Sequence, residues 1–461
     1  MQRDKLSIGL FTLNNTAVNV YYMLMLYIAY FAAGVLGLGV AVVSGLIATM
    51  VIFDGLGDPV IGMCIDRFGS KRLGKFRPFM IVGNVTMAFS LFIMYIAHGL
   101  EAGRFFVFVL AYTVFVLGYS CQFCCTRAAQ TVLTKDPKLR PLFSAFDMVL
   151  NVLLYVGITM AVSNFLVPRH GGFTREMFAE FFVFTAVLSA VLTALAVVGI
   201  WRKDKPENFP AMQAKIKLST CLKILRENRN VQMLMIVSST DKLFSNITQN
   251  AVVTVMLYGI IVGDFALSGQ VNMFVFVPSM IVSLLCVQYA RKKGQKEALL
   301  FSTYGGILFT ALIFLLFVFG DPATLSFAHV SVFTVLFMAF LAMRGGFMSI
   351  NNSITVPMVA DCIDYEVTRS QHFAPGTIGA LFSFADKIVT SFNTLIIGGL
   401  LLVIGFGDGF PTVDTEYSRA IFWVVMLLFC GLPMLGWVVN IVCLRRYGLD
   451  RDGMRKVRGD V

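Results

Sequence analysis

Long apolar segments fill most of the chain and alternate with short polar stretches. Twelve of them have the length of about 20 residues that lets a helix cross the hydrocarbon core of a membrane. They are numbered here as spans 1 to 12 and lie at about 10–35, 40–65, 79–98, 104–133, 141–167, 176–201, 231–262, 267–290, 298–320, 326–357, 376–406 and 418–444. The pattern predicts an all-α membrane protein with twelve transmembrane helices. No small-residue cleavage site follows span 1, so we expect a retained helix and not a signal peptide.

The longest polar stretch falls near the middle of the chain, at 202–230, with six spans on either side. We expect 1–201 as an N-terminal six-helix bundle, 202–230 as a cytoplasmic linker, 231–444 as a C-terminal six-helix bundle and 445–461 as a basic cytoplasmic tail. The linker is either a passive connection or carries a helix on the membrane surface. Similar strings after spans 4 and 10, Thr131–Asp136 and Thr355–Asp361, indicate two related halves, as in secondary transporters.

Basic residues collect on one side of the predicted spans. The connections on the other side contain no lysine and only three arginines, Arg104, Arg169 and Arg175. Because cytoplasmic loops carry the excess of lysine and arginine, we expect both termini in the cytoplasm and a multi-pass protein of the cell (cytoplasmic or inner) membrane. The net charge of +11 then reflects loops beside anionic lipid headgroups. We expect membrane lipids as surroundings, no nucleic-acid partner, and a monomer.

The sequence carries none of the common motifs of enzymes or of ATP-driven transporters. It has no Gly-rich phosphate loop, no HExxH spacing among its four histidines and none of the nucleotide motifs that ATP-driven transport needs. The nine cysteines lie mostly in or beside apolar spans, which is typical of free thiols packed like small hydrophobic side chains. We therefore expect no enzyme, no cofactor, and no metal beyond Na+ if sodium is the coupling ion.

Two carboxylates interrupt the apolar run of span 2. Asp54 and Asp58 are four residues apart, which places them on one face of a helix about one turn from each other. Acidic side chains are costly at bilayer depth and mark ion or proton sites when they occur there. The pair predicts a cation or proton site, and the alternative is two acids satisfied by neighbouring cations or amides.

Two longer strings make the pattern specific. Between spans 2 and 3, Gly62-Met-Cys-Ile-Asp66-Arg67-Phe-Gly69-Ser-Lys71-Arg72 resembles the signature loop of the major facilitator superfamily. Two wider patterns resemble those of the glycoside–pentoside–hexuronide:cation symporters. The first is Asp54…Asp58-Pro59…Gly62…Asp66-Arg67…Gly74-Lys75-Phe76-Arg77-Pro78. The second is Met358-Val-Ala-Asp361-Cys-Ile-Asp364-Tyr365-Glu366, and Lys387 in span 11 also matches that family. The resemblance covers essentially the whole chain and implies the major facilitator fold.

The resemblance also implies roles for individual residues. Asp54 and Asp58 match the carboxylates that hold the coupling cation, and Ser120 in span 4 falls where a hydroxyl completes the cation shell. Lys387 matches a lysine near that site. The expected cytoplasmic gate is formed by ion pairing between the loops of the two halves. Its residues are Asp66, Arg67, Lys71 and Arg72 in the first half and Asp361, Asp364 and Glu366, in the loop after span 10, in the second.

The chain departs from the galactoside carriers of that family. Those carriers place one aspartate in span 1 and another in span 4, where this chain has amides, hydroxyls and thiols instead: Asn14, Asn15, Thr16 and Asn19, and Gln122, Cys124, Cys125 and Thr126. Gly57 also replaces an amide that precedes the second cation carboxylate. We therefore expect galactosides to be poor substrates, and Na+ and H+ both remain open as the coupling ion.

Intramembrane cations predict an anionic group on the substrate. The candidate substrate-binding residues are Asn15, Asn19, Tyr22, Arg127, Asp147, Arg344 and Lys387. Asp147 stands where the family often has arginine, so Arg127 and Asp147 form a predicted swapped ion pair. As alternatives, Arg127, Lys242, Arg344 and Lys387 are neutralised by nearby acids, including Asp241 and Asp386, and the asparagines make only interhelical hydrogen bonds.

These observations predict a cation-coupled secondary symporter that works by alternating access. We expect it to import a small-molecule substrate, a glycoside, pentoside or hexuronide, together with Na+ or H+. The animal lysophospholipid symporters share the acidic pair and the span 11 lysine. The alternative is therefore a symporter of an amphipathic lysolipid-like or other organic anion.

Overall fold

The computed structural model describes residues 2–67, 74–96, 103–133, 140–205, 226–370 and 375–449, and the regular elements of these ranges are helices. The apolar spans form them because a helix satisfies its own backbone hydrogen bonds where water is excluded. The main helices are α1 (Gln2–Met25), α2 (Val40–Arg67), α3 (Arg77–Tyr95), α4 (Arg104–Leu133), α5 (Arg140–Ala161), α6 (Arg175–Ile200), α7 (Arg229–Thr248), α8 (Ala266–Lys293), α9 (Gln295–Phe319), α10 (Val332–Ser370), α11 (Pro375–Val403) and α12 (Arg419–Arg446).

Several spans contain turns of wider pitch. After Met25 the first span continues as Ile28–Tyr30 and a π-helical turn, Phe31–Val35. Beyond α5 the chain forms a π-helical turn, Val162–Leu166, and one α-helical turn, Val167–His170. A third π-helical turn, Leu427–Gly431, lies inside α12, and a short 3₁₀ helix, Pro322–Thr324, precedes α10.

The seventh span is bent. Beyond α7 the chain continues as Ala251–Thr254 and a π-helical segment, Val255–Val262, at 46° to α7. Asn250 caps the second piece, since its side chain accepts a hydrogen bond of 2.9 Å from the Val252 amide. In the described residues, eleven helices are long and apolar enough to cross a membrane, or twelve if the bent pair is one span.

The tenth helix is longer than predicted. Hydropathy places the end of span 10 near residue 357, whereas α10 continues to Ser370 and so contains Asp361, Asp364 and Glu366. The prediction that these three gate candidates lie in a loop is therefore wrong. The physical reason is that the polar run Asp361–Ser370 contains no glycine or proline. Loss of hydropathy reports the edge of the apolar stretch, not the end of a helix.

Large apolar side chains cover much of the outer surface of the helices. Among the most exposed are Phe106, Phe165, Phe319, Val332 and Val403. Extended apolar surfaces of this kind are rare on soluble proteins but match the lipid tails of a bilayer. The chain is a multi-pass membrane protein.

The first compact unit comprises Met1–Gln213 with Gly407–Phe410. In this unit α1 packs against α4, α5 and α6, and α3 packs against α4. Gly83 and Gly118 permit close approach of α3 and α4, since a Cβ on Gly83 would lie 2.8 Å from the Gly118 carbonyl oxygen. The core includes Tyr95 and Phe178, whose rings stack with centroids 5.5 Å apart.

The second unit comprises Ala214–Phe406 and Pro411–Val461. Here α7 packs against α10, α11 and α12, and α10 also packs against α8 and α9. Gly306 brings α9 close to α12, since a Cβ at this position would lie 3.3 Å from the Trp437 ring. Small residues at such crossings let transmembrane helices approach closely.

A buried carboxylate fixes the start of α3. Asp204, which follows the end of α6, accepts hydrogen bonds from the backbone amides of Lys75 (2.8 Å), Phe76 (3.1 Å) and Arg77 (3.0 Å). The Arg77 Nε also lies 3.3 Å from the same carboxylate. A negative charge is favourable at a helix N-terminus, where several N–H groups point outward. The string Gly74–Pro78 therefore contains a helix start that is stabilised by Asp204, the third residue of the predicted linker.

Candidate functional site

The part of α2 that carries the acidic pair packs against α4. The Ser120 hydroxyl donates a hydrogen bond of 2.7 Å to Asp54 Oδ1. One turn further along both helices, the Cys124 Sγ lies 3.8 Å from the Asp58 carbonyl oxygen. Asp54 and Asp58 on α2 therefore lie beside Ser120 and Cys124 on α4, which are also four residues apart. Carboxylate and hydroxyl oxygens are hard ligands that suit an alkali cation or a proton.

Aromatic rings adjoin the acidic pair. The rings of Tyr22 on α1 and Tyr119 on α4 have centroids 6.4 Å apart, and Tyr119 stacks on Phe123 at 5.5 Å. Tyr22 is 40% exposed, so its ring remains accessible. Aromatic faces pair with cations and with apolar ring surfaces. Tyr22 was predicted as a substrate residue, whereas Tyr119 and Phe123 were not; their spacing of four residues, which places them on one face of α4, is the signal that could have found them.

The polar face of α1 hydrogen-bonds to α5. The Asn15 side-chain amide donates a hydrogen bond of 2.7 Å to Asp147 Oδ1, and the Asn19 amide donates one of 2.6 Å to Asn151 Oδ1. Asn151 in turn donates 2.8 Å to Asp147 Oδ1. These residues are half-buried. They form an interhelical ladder, as the second interpretation of Asn15 and Asn19 predicted. The side chain of Arg127, the predicted partner of Asp147, lies outside the described residues.

A second polar network lies deeper in the first unit. The Asn14 amide donates a hydrogen bond of 2.8 Å to the Thr126 hydroxyl. The Gln122 amide donates hydrogen bonds to Asn14 Oδ1 (3.0 Å) and to the Thr193 hydroxyl (2.9 Å). Asn14 and Gln122 are 0% exposed. Asn14 and Gln122 thus hydrogen-bond to each other, while Gln122 Oε1 is buried without a partner among the described residues.

In the second unit two intramembrane cations have protein partners. Lys242 on α7 forms an ion pair with Asp386 on α11, which also accepts a hydrogen bond of 2.8 Å from the Ser239 hydroxyl. Arg344 on α10 donates a hydrogen bond of 3.0 Å to the Phe429 carbonyl in the π-helical turn of α12. The Cζ of its guanidinium lies 4.2 Å from the centroid of the Phe429 ring. Lys387 is half-buried on α11. Arg344 is buried in this arrangement, and its Nε has no hydrogen-bond partner among the described residues. Its role as a substrate residue stays a prediction.

Most of the predicted gate falls outside the described residues. This applies to Lys71 and Arg72 entirely and to the side chains of Asp66, Arg67, Asp364 and Glu366. Asp361 is described, and its side chain is buried in α10. The gate stays a prediction.

The sequence is similar to those of known transport proteins. Residues 11–451 match the family model described as "MFS/sugar transport protein". "Putative glycoside/cation symporter YagG" of Escherichia coli (strain K12) is 21% identical over 454 residues, which cover 97% of this chain and 92% of that protein. "Uncharacterized symporter YjmB" of Bacillus subtilis (strain 168) is 22% identical over 392 residues, covering 83% of this chain and 79% of that protein.

Solved transporter structures share the fold. The chain is similar to a mutant of the nucleoside transporter NupG, with a TM-score of 0.65, 14% identity and coverage of 95% of this chain and 99% of that one. It is also similar to the E. coli fucose:proton symporter FucP, with a TM-score of 0.57, 14% identity and coverage of 97% and 99%. At these identities the likeness shows the fold alone.

Proposed function

We propose that this chain, which belongs to the MFS/sugar transport protein family, is a cation-coupled symporter that uses Asp54 and Asp58 to bind the coupling ion. The observation that carries the proposal is the hydrogen bond from Ser120 to Asp54, with Asp58 one turn further along α2. Intramembrane carboxylates are retained where they serve ions or protons. Relatives named as symporters support the same class of function.

The chemistry of the pair provides the coupling. Two ionised carboxylates one turn apart in a water-poor site repel each other, so a proton or Na+ that binds between them relieves the repulsion. The Ser120 hydroxyl supplies a further oxygen to the bound ion. Ion binding thereby favours the conformation that accepts substrate, and the loaded carrier alternates between outward-facing and inward-facing states.

The proposed substrate is a small glycoside, pentoside or hexuronide. The α1–α5 ladder of Asn15, Asp147, Asn19 and Asn151 offers amide and carboxylate groups that match sugar hydroxyls. Tyr22 offers an accessible ring beside them. Because Lys242 is paired with Asp386 and Arg344 is buried against Phe429, an anionic substrate group would depend on Arg127 or Lys387. A relative named as a glycoside/cation symporter supports the sugar class.

We further propose a location in the cell membrane with both termini in the cytoplasm. The support is the distribution of lysine and arginine, which leaves the opposite set of loops with three arginines. Cysteine labelling of intact cells at a position within 407–417 and in the C-terminal tail tests this orientation. Labelling of the tail by an impermeant reagent would contradict it.

Uptake in proteoliposomes tests the function. The full chain is reconstituted, and accumulation of labelled pentoses, glycosides and hexuronides is measured under an imposed Na+ or H+ gradient. We expect gradient-driven accumulation of at least one of these substrates, and we expect Asp58→Asn to abolish it without loss of folded protein. The matched control is Asp264→Asn, because Asp264 is exposed at a helix start. Undiminished accumulation by an Asp54→Asn, Asp58→Asn double variant would exclude these residues as the coupling site.

A further inference from the structure

The second unit contains a carboxyl group that the proposed symport does not use. Asp241 lies on α7, and its Oδ1 accepts hydrogen bonds from the Trp437 indole (3.1 Å) and the Asn440 side-chain amide (2.7 Å) of α12. Its Oδ2 is buried and makes no hydrogen bond of ordinary geometry with a described residue, and the side chain of Asn351 on α10 is a third neutral group beside the carboxyl. Half of this carboxyl is therefore satisfied by neutral donors, and the other half is not.

The charged groups near Asp241 are engaged elsewhere. Its neighbour Lys242 does not face it, because consecutive helical residues point in different directions. Lys242 instead pairs with Asp386. On α10, Arg344 donates to the Phe429 carbonyl, and on α12, Arg445 donates 2.9 Å to the Tyr304 hydroxyl of α9. The other charged groups of α7 and its packed helices whose side chains the structure describes are Arg229 on α7, Asp361 on α10, Lys387 on α11, and Arg419 and Arg446 on α12. Within the described part of the chain, Asp241 forms an ion pair with none of these groups.

Asn440 provides the second half of the arrangement. It is 0% exposed, its amide nitrogen points at Asp241, and its Oδ1 is buried without a hydrogen-bond donor among the described residues. Two buried acceptor oxygens, Asp241 Oδ2 and Asn440 Oδ1, thus belong to two side chains that already share one hydrogen bond. Buried acceptors without a donor are uncommon in folded proteins.

One proton resolves both deficits. A proton on Asp241 Oδ2 turns that atom into a donor, and Asn440 Oδ1 is the acceptor within the same pair. The result is a reciprocal acid–amide pair, with the observed N–H···O bond on one side and an O–H···O bond on the other. A hard cation would instead require several more oxygen ligands than these two orphaned atoms provide.

We propose that Asp241 and Asn440 form a second proton-binding site, separate from the α2 acidic pair, in which Asp241 carries a proton in the arrangement described here. No covalent bond changes apart from proton transfer between water and Asp241 Oδ2. Movement of α12 against α7 would break the pair and release the proton. That consequence for coupling rests on the proposed symport, whereas the site itself stands on the geometry of α7 and α12.

Infrared spectroscopy of the purified full-length protein tests the site directly, with the proton itself as the ligand. We expect a carbonyl band of a protonated, hydrogen-bonded carboxylic acid that disappears in Asp241→Asn and shifts in Asn440→Ala. The Asp241→Asn variant keeps an amide pair of the same shape, so it should fold, and thermal unfolding checks that it does. An unchanged band in a folded Asp241→Asn variant would overturn the proposal, as would loss of the band on addition of Na+ at constant pH.

The Asp54→Asn, Asp58→Asn double variant separates this proposal from the proposed function. We expect it to lose gradient-driven accumulation and to retain the Asp241 band. Conversely, Asp241→Asn should retain substrate binding, measured with a substrate found in the uptake screen, while the proton dependence of transport changes. If the α2 double variant accumulates substrate normally but the band still depends on Asp241, the proposed coupling site fails and the proton site stands.

Discussion

The Ser120 hydroxyl lies 2.7 Å from the Asp54 carboxylate and donates to it across the interface of α2 and α4. Sequence resemblance placed Ser120 only approximately, because helical hydroxyls often bond to the backbone of their own helix instead. The side chain that contacts Asp54 thus lies 66 residues further along the chain, on another helix.

Removal of that hydroxyl should weaken ion binding. We expect Ser120→Ala to raise the half-saturating concentration of the coupling ion about tenfold, since a hydrogen bond to a charged group contributes about 1.5 kcal/mol. The measurement is initial uptake against Na+ or H+ concentration in proteoliposomes. Ser120→Thr keeps the hydroxyl and serves as the control. An unchanged ion dependence in Ser120→Ala would place the hydroxyl outside the ion site.

The ion pair between Lys242 and Asp386 should serve folding and not substrate binding. We expect Asp386→Ala to lower the stability of the purified protein by about 2 kcal/mol, because it leaves Lys242 and two serine hydroxyls without their acceptor. The Lys242 side chain is 47% exposed, which limits the loss. A Lys242→Met, Asp386→Ala double variant should recover part of it in a double-mutant cycle. If Lys242→Met instead weakens substrate affinity with stability unchanged, the lysine acts on substrate.

Much of the fold could be predicted from the sequence, for a physical reason. Each span must satisfy its backbone internally, so length and hydropathy locate it, and Arg104–Leu133 matches the predicted fourth span. The break at Asn250 and the extension of α10 to Ser370 were not predicted. A hydropathy profile detects neither a polar side chain that caps a helix nor a helix that continues into polar surroundings.

The site could be predicted only in part. Asp54 and Asp58 are visible because acids stand out in an apolar run. The Asp241–Asn440 contact is invisible to the sequence because it joins helices 199 residues apart. Arg344 was predicted as a substrate residue from its charge alone, and the sequence gives no sign that the Phe429 carbonyl, in the π-helical turn of α12, accepts its hydrogen bond. Which partner a buried charge finds depends on tertiary packing.

The buried network around Gln122 should determine stability more than specificity. We expect Gln122→Ala to lower stability by about 2 kcal/mol, because it leaves the oxygens of Asn14 and Thr193 without their donor. The concentration of substrate that gives half-maximal uptake should stay within about twofold of the wild-type value, a difference of about 0.4 kcal/mol. Gln249→Ala is the matched control, since Gln249 is exposed at the end of α7 and its amide donates a hydrogen bond to the nearby Ser245 hydroxyl. A large loss of substrate affinity at unchanged unfolding temperature would make Gln122 a substrate ligand.

The carboxylate of Asp204 should be essential for the start of α3. It is fully buried and accepts three backbone N–H groups and the Arg77 guanidinium, so Asp204→Asn leaves buried donors and a buried cation without their charge partner. We expect a loss of about 3 kcal/mol, measured as a lowered unfolding temperature of the purified protein.

Gly74 offers an independent test of the same contact. Its φ of +79° is strained for any other residue, and a Cβ there would collide with the Asp204 carboxylate. Gly74→Ala should therefore destabilise the protein by about 1–3 kcal/mol. In an Asp204→Asn background the added cost of Gly74→Ala should fall, because the two residues are in contact and their effects are not additive.

The control for the Asp204 prediction is Asp264→Asn. It removes an exposed carboxylate that accepts a single backbone N–H and should change the unfolding temperature little. Equal effects of Asp204→Asn and Asp264→Asn would show that the buried carboxylate contributes no more than an ordinary surface cap.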